Sequence, residues 1–251
     1  MEVHHHPDIH HNRKKFREYF LEFLMIFLAV TMGFIAENIR EDIANAHREK
    51  SLMLSMLEDL KSDSASISVS IAFTNYVAAG LDTLSNVLFE EPRITADPEI
   101  YRLNSSYMRL VSTNYSDQTS SQLKAGGMIN IKNREVANGI SHYWGTVKGI
   151  ELSQENYRAR MGNATEVAYK IFNGKFTHTL AIDSVTFASV VDIDPAAKLM
   201  ITDEAILVNY GNYIRVLRNI LKTFYMRNLD KQLKECLKLK SLILKQYHIS
   251  T

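Results

Sequence analysis

The sequence predicts an all-α protein, an N-terminal transmembrane helix continuing into an elongated antiparallel helical bundle. Three observations carry that expectation. Residues 19–36 are apolar apart from Glu22, and about 18 residues rising 1.5 Å each cover roughly 27 Å, enough to cross a hydrocarbon core. Beyond them an apolar register of alternating four- and three-residue steps runs from Ile39 to Leu88 without losing phase, which is the period of one helix face. Proline stands only at positions 7, 92, 98 and 195, so little forces a helix to stop.

Composition narrows the classes. The 29 basic and 28 acidic side chains nearly cancel, and 46% of the 251 residues are hydrophobic. That balance excludes a disordered chain and, with one stretch long enough to span, a polytopic transporter. The expected division is a His-rich basic cytoplasmic tail over 1–18, the transmembrane helix over 19–36 and an α-helical extracytoplasmic domain over 37–251. The single Cys236 forms no intramolecular disulfide and lacks the spaced Cys and His partners of a zinc site.

Phe23 to Ala36 is apolar on every side, whereas a surface helix of a soluble domain shows one apolar stripe. A cleaved secretory signal is the competitor, with Thr31-Met32-Gly33 as its small-residue site. The apolar region is long for that and continues as a helix, which favours an uncleaved signal anchor. Arg13, Lys14, Lys15 and Arg17 precede the span, and Glu37, Arg40, Glu41 and Asp42 follow it, placing the N-terminus in the cytoplasm and the large domain outside. Ala29, Gly33 and Ala36 share one face of the span. Small residues let membrane helices approach closely, so the expected partners are the lipid bilayer and other membrane proteins or a second copy of this chain.

The register beyond the span passes through Met53, Leu57, Leu60, Ile67, Ile71 and Leu81, with Lys50, Ser64, Thr74 and Ser85 as polar members that argue against a strict coiled coil. One helix to about Phe89, or two with a bend at Lys61-Ser62-Asp63-Ser64, both fit. Asp97-Pro98 opens a helix expected to reach Val111, and Ser116-Asp117 caps a short one to Ala125, closed by Gly126-Gly127. Met128 to Ile131 reads as a buried strand-like connector, and Asn133 caps a helix to about Phe172. Residues 174–202 are rich in β-branched side chains and read as an irregular excursion or a short hairpin. A last helix from Thr202-Asp203-Glu204 to about Tyr247 turns Tyr210, Tyr213, Leu217, Ile220, Phe224 and Leu233 to the bundle.

Two blocks, AENIRE after the span and QLKAGGMINIKNREV from Gln122 to Val136, resemble the recurrent blocks of a family of uncharacterised single-pass bacterial membrane proteins. In that family a Leu-Lys-Ser-Ser-Gly motif precedes an apolar run and Asn-x-Glu. Leu123, Lys124, Gly126, Asn133 and Glu135 match it, while Ala125 and Gly127 depart or shift. The resemblance extends over roughly half of the chain. It implies an N-terminal span in the bacterial inner membrane followed by a helical periplasmic domain, and it supplies no activity.

Beside the second block Tyr107, Tyr115, Tyr143, Trp144 and Tyr157 cluster in sequence and are candidates to line a pocket between helices; core aromatics are the plainer reading. No enzyme is expected, since His47, His142, His178 and His248 are scattered and neither Gly-x-Ser-x-Gly nor His-Glu-x-x-His occurs. Asp183, Asp192, Asp194 and Asp203 lack the order and glycine of a calcium loop. Arg215, Arg218, Lys222, Lys231, Lys234 and Lys238 form a basic stripe on the last helix, read first as a solvated face and second as a contact for anionic lipid or a partner. Nucleic acid is not an expected partner of a domain outside the cytoplasm.

At the N-terminus His4, His5, His6, His10 and His11 offer weak Zn or Ni ligands, but Pro7 and the lack of a supporting shell favour a simple leader; no other cofactor is expected. Two functions follow: a scaffold or accessory subunit of a membrane complex, or a ligand-binding sensory bundle signalling through a partner. A sensor normally needs a cytoplasmic output domain, and about 18 residues precede the span, which favours the scaffold.

Overall fold

The computed structural model describes residues 16–116, 118–183 and 187–249, without the side chains of 179–182, 189 and 190. The histidine cluster and Arg13 to Lys15 therefore lie outside the described residues. Among the described residues six α-helices carry the fold: α1 (Phe16–Leu88), α2 (Asp97–Tyr107), α3 (Gln118–Lys124), α4 (Arg134–Ile171), α5 (Glu204–Ile220) and α6 (Met226–Gln246). One antiparallel hairpin, β1 (Thr177–Ile182) with β2 (Ser189–Ile193), joins α4 to α5. The protein is all-α apart from this hairpin. It divides into two units, residues 1–51 and 52–251.

In the first unit the apolar window of α1 is 0% buried. Phe23, Ile26, Met32 and Phe34 all stand exposed, and the Thr31 hydroxyl turns back to donate to the Phe27 carbonyl at 2.7 Å. Among the described residues α1 is the one helix long and apolar enough to cross a membrane.

In the second unit α1 runs antiparallel to α5 and α6, as the pairs Leu60 with Cys236, Asp82 with Arg218 and Asn86 with Arg215 show. Helix α4 is likewise antiparallel to them, with Asn133 meeting Gln246 and Gln154 meeting Tyr225. The core lies among these three long helices: Leu60, Ile67 and Leu81 of α1, Ile140 and Ile150 of α4, and Ile214 of α5 are fully buried. Helix α1 passes Lys61 to Ser64 without the bend that low propensity allowed. The Ser64 and Ser68 hydroxyls donate to carbonyls of the preceding turn, so they satisfy themselves without interrupting the helix, and the packing of Leu60 and Ile67 outweighs their propensity.

Four sequence expectations need correction. The first part of the buried face of α1 reads Met53, Met56, Leu60, Asp63, Ile67, Ser70 and Thr74. The expected Leu57, Ser64 and Ile71 are thus each displaced by one residue and sit half-buried at the edge, because Asp63 and Ser70 occupy the centre. Farther on Ala78, Leu81, Ser85 and Leu88 are buried as expected, with Val77 and Leu84 beside them. Helix α2 stops at Tyr107, not Val111, because the Arg109, Ser112 and Asn114 carbonyls accept hydrogen bonds from Tyr157, Ser70 and Ser66 across the bundle. Met128 to Ile131 is a 3₁₀ turn over Gly127–Asn130 with Ile129 91% exposed, because Gly126 at φ +120° reverses the chain directly after α3. Phe224 is half exposed and Tyr225 is buried in its place, because a π turn at Leu221–Tyr225 inserts one residue between α5 and α6 and rotates the downstream face.

Asn133 caps α4 as expected, accepting from the Glu135 and Val136 amides at 3.0 and 3.1 Å. The excursion after α4 is held by α2: the Tyr101 hydroxyl donates to the Lys198 carbonyl at 3.0 Å, and Asp97 accepts from the Leu199 amide at 3.1 Å.

Candidate functional site

The segment 108–116 lies as a strap over the bundle, and a polar network holds it. Thr113 and Tyr225 share a hydroxyl hydrogen bond of 2.8 Å, and Gln154 donates to Tyr225 at 3.0 Å. The π turn therefore has a local purpose, since it brings Tyr225 inward to meet the strap. Further along, Asp63 accepts from the Ser116 amide at 2.7 Å and from the Tyr143 hydroxyl at 2.6 Å. Asp59, one turn earlier, accepts from the Ser116 hydroxyl at 2.5 Å and the Thr119 amide at 3.1 Å. The two carboxylates together receive the start of α3, where exposed amides favour negative charge.

Beside this network a cleft of about 700 Å³ opens between α1, the strap, α3 and α4. Met56, Asp59 and Asp63 come from α1, Tyr115 and Ser116 from the strap, and Ser120 and Lys124 from α3. Helix α4 adds Tyr143, Trp144, Val147, Lys148 and Glu151. The Lys124 ammonium lies 5.0 Å from the centre of the Trp144 ring, a cation–π contact.

Of the five aromatics expected at a pocket, Tyr115, Tyr143 and Trp144 line this cleft. Tyr107 packs against Tyr76 with the rings tilted and 5.2 Å apart, and Tyr157 is fully buried with its hydroxyl donating to the Arg109 carbonyl at 3.0 Å. These two are packing residues. The basic stripe divides as well: Arg215 lies over the Phe89 ring and donates to Asn86, Arg218 pairs with Asp82 at 3.2 Å, and Lys238 reaches Glu235 at 4.0 Å. Lys222, Lys231 and Lys234 stay exposed. Ala29, Gly33 and Ala36 remain exposed on α1, and a Cβ on Gly33 would meet nothing within 4 Å. Among the described residues no group of three or more His, Cys, Asp or Glu is placed to hold a metal ion.

Burial shifts the titration of this region. Asp63, 2% exposed, has its carboxyl raised above the ordinary aspartate range by burial, with the Ser116 amide and the Tyr143 hydroxyl opposing that and the Asp59 charge adding to it. Burial also pushes the Cys236 thiol up to about 12, so it stays protonated and donates to the Leu60 carbonyl at 3.2 Å. The sequence carried a signal for this site that composition obscures: Asp59 and Asp63 are spaced i, i+4, with Asp63 in phase with the Met53, Leu60 and Ile67 stripe.

A raised aspartate is neutral in both states at low pH and must be buried as an anion once pH exceeds its folded value. Wild-type stability relative to Asp63→Asn is therefore expected to be greatest below about pH 4 and to fall as pH rises through the raised carboxyl value. Urea unfolding of both proteins at low and neutral pH checks this; a gap that stays constant or moves the other way would contradict burial as the dominant influence on Asp63.

Comparison with protein-family models, with curated proteins and with solved structures finds no match to this chain.

Proposed function

We propose that the protein is a single-pass, membrane-anchored helical scaffold or accessory subunit of a membrane protein complex, and not an enzyme. The observation that carries this reading is α1 itself: one helix supplies both an exposed apolar segment of membrane-crossing length and the main core stripe of the helical unit. The basic residues before the span and the acidic ones after it support a cytoplasmic N-terminus and a helical domain on the periplasmic side of a bacterial inner membrane. The resemblance of the AENIRE and Gln122 to Val136 blocks to single-pass bacterial membrane proteins points the same way. The buried Asp63, Tyr143 and Cys236 and the half-buried Asp59 favour a structural role, because all four hold hydrogen bonds within the bundle.

Affinity capture from gently solubilised membranes tests the proposal. A scaffold brings down a stoichiometric membrane partner or a homo-oligomer through the Ala29, Gly33 and Ala36 face; recovery as a solitary monomer would count against it. In intact spheroplasts, external protease is expected to digest the domain beyond residue 37, and protection would reverse the orientation.

The cleft favours a second reading, a ligand-binding module that signals through a partner. Bundles place ligand sites between facing helices, and about 700 Å³ is within the range of small-molecule sites.

A further inference from the structure

Resting on that second reading, we infer that the cleft between α1, α3 and α4 binds a small organic monoammonium ion with an apolar body, its charge received by Asp59 and Asp63.

Both carboxylates line the cleft, and Asp63 is almost fully buried. Their partners are an amide and a hydroxyl each, which bring hydrogen bonds but no positive charge. Among the described residues no Lys, Arg or His forms an ion pair with either. A buried carboxylate without a counter-charge is unusual, and a cation entering the cleft supplies it. Each ionised oxygen accepts more than one hydrogen bond, so the existing partners need not leave.

The walls independently mark the same place. Among the described residues the Trp144 indole N–H is buried without a hydrogen-bond partner. Gln232, fully buried on α6, stands behind this wall within hydrogen-bonding reach of the Tyr115 and Tyr143 hydroxyls. An unpaired buried polar group is rare in folded proteins, and Trp144 places one on the cleft wall. The aromatic wall also suits ammonium, since the chain's own Lys124 already rests over Trp144.

Ligand class follows from what else is present. No third His, Cys, Asp or Glu joins the two carboxylates among the described residues to complete the oxygen-rich shell that Ca²⁺ takes. Lys124 and Lys148 on the lining repel a second positive charge, with only Glu151 to offset them, so a monoamine fits better than a polyamine. Met56 and Val147 receive the apolar body.

Trp144 is the only tryptophan of the chain, so its emission reports on the cleft without any label. The full chain in lipid nanodiscs is titrated with cyclohexylmethylammonium, and in parallel with cyclohexylmethanol, cyclohexanecarboxylate and CaCl₂. A saturable emission change with the amine alone is expected. Asp59→Asn is expected to weaken it by about tenfold or more, the loss of a charge-assisted hydrogen bond. Gly145→Phe is the second variant: Gly145 lines the cleft and a Cβ there meets nothing within 4 Å, so the ring fills the space without disturbing the core. It is expected to abolish the response altogether, with helical circular dichroism unchanged. Saturation by the carboxylate, the alcohol or Ca²⁺ in place of the amine would overturn the charge assignment while leaving a ligand site. No saturable response to any of them, or an amine response that survives Gly145→Phe, would overturn the site itself.

Discussion

Phe27→Arg combined with Val30→Arg is expected to turn a protein retained in membranes after alkaline carbonate extraction into one recovered largely in the supernatant. Ten Leu, Ile, Phe and Val residues lie between positions 19 and 36, and at roughly −0.3 to −0.6 kcal/mol each they favour insertion by about 3 to 6 kcal/mol. One arginine at the centre costs about 2.5 to 3.5 kcal/mol, so a single substitution leaves much of the population inserted and two reverse the balance. Placing the same pair at Arg215 neighbours such as Val216 and Asn219, on the bundle surface, provides a control that keeps the span intact. Unchanged membrane retention of the double variant would show that α1 is not what holds the protein there.

The second large effect concerns Gly80. It is buried on α1, and a Cβ placed on it would overlap the ring of Tyr107 at the end of α2. The base of the ring stands in the way rather than a flexible tip, and Tyr107 is further fixed by its tilted ring contact with Tyr76 at 5.2 Å. Removing a mid-helix glycine gains about 1 kcal/mol of helix propensity, but overpacking costs about 1–3 kcal/mol and more for larger side chains. Gly80→Ala is therefore expected to be net destabilising, and Gly80→Leu by about 3 kcal/mol or more, in urea unfolding of the solubilised protein. Gly145→Ala is the contrast: nothing stands within 4 Å of its new Cβ, so the propensity gain of up to about 1 kcal/mol is expected to appear in full. Equal responses at the two glycines would mean that α2 does not press on α1 there.

These two expectations also mark how far the sequence could be read. The apolar segment long enough to span needed no structure, because fourteen residues from Phe23 to Ala36 without a charge leave no polar face to turn toward water. The cap at Asn133 was equally legible, since a short polar side chain before an apolar period has one economical use. The core face of α1 was half legible. Met53, Leu60, Ile67 and Leu81 announce it, but the regular four-and-three step put Ser64 in the place of Asp63, whose burial is offset by Ser116 and Tyr143 from distant parts of the chain. Such a pairing has no local signature. Nor has the π turn, which depends on Tyr225 finding Thr113 and Gln154 across the bundle.

By itself the sequence determined the all-helical class, the one apolar segment long enough to span and the punctuation that separates the helices, because propensity, period and capping act over a few residues and leave their mark in order along the chain. Only the tertiary structure decided that α1 continues unbroken past Ser64, that three of five aromatics gather at one cleft, and that two aspartates stand beside them with no ion pair among the described residues. Those outcomes arise from contacts between residues 50 or more positions apart, whose energies outweigh local preference and are written in no single segment.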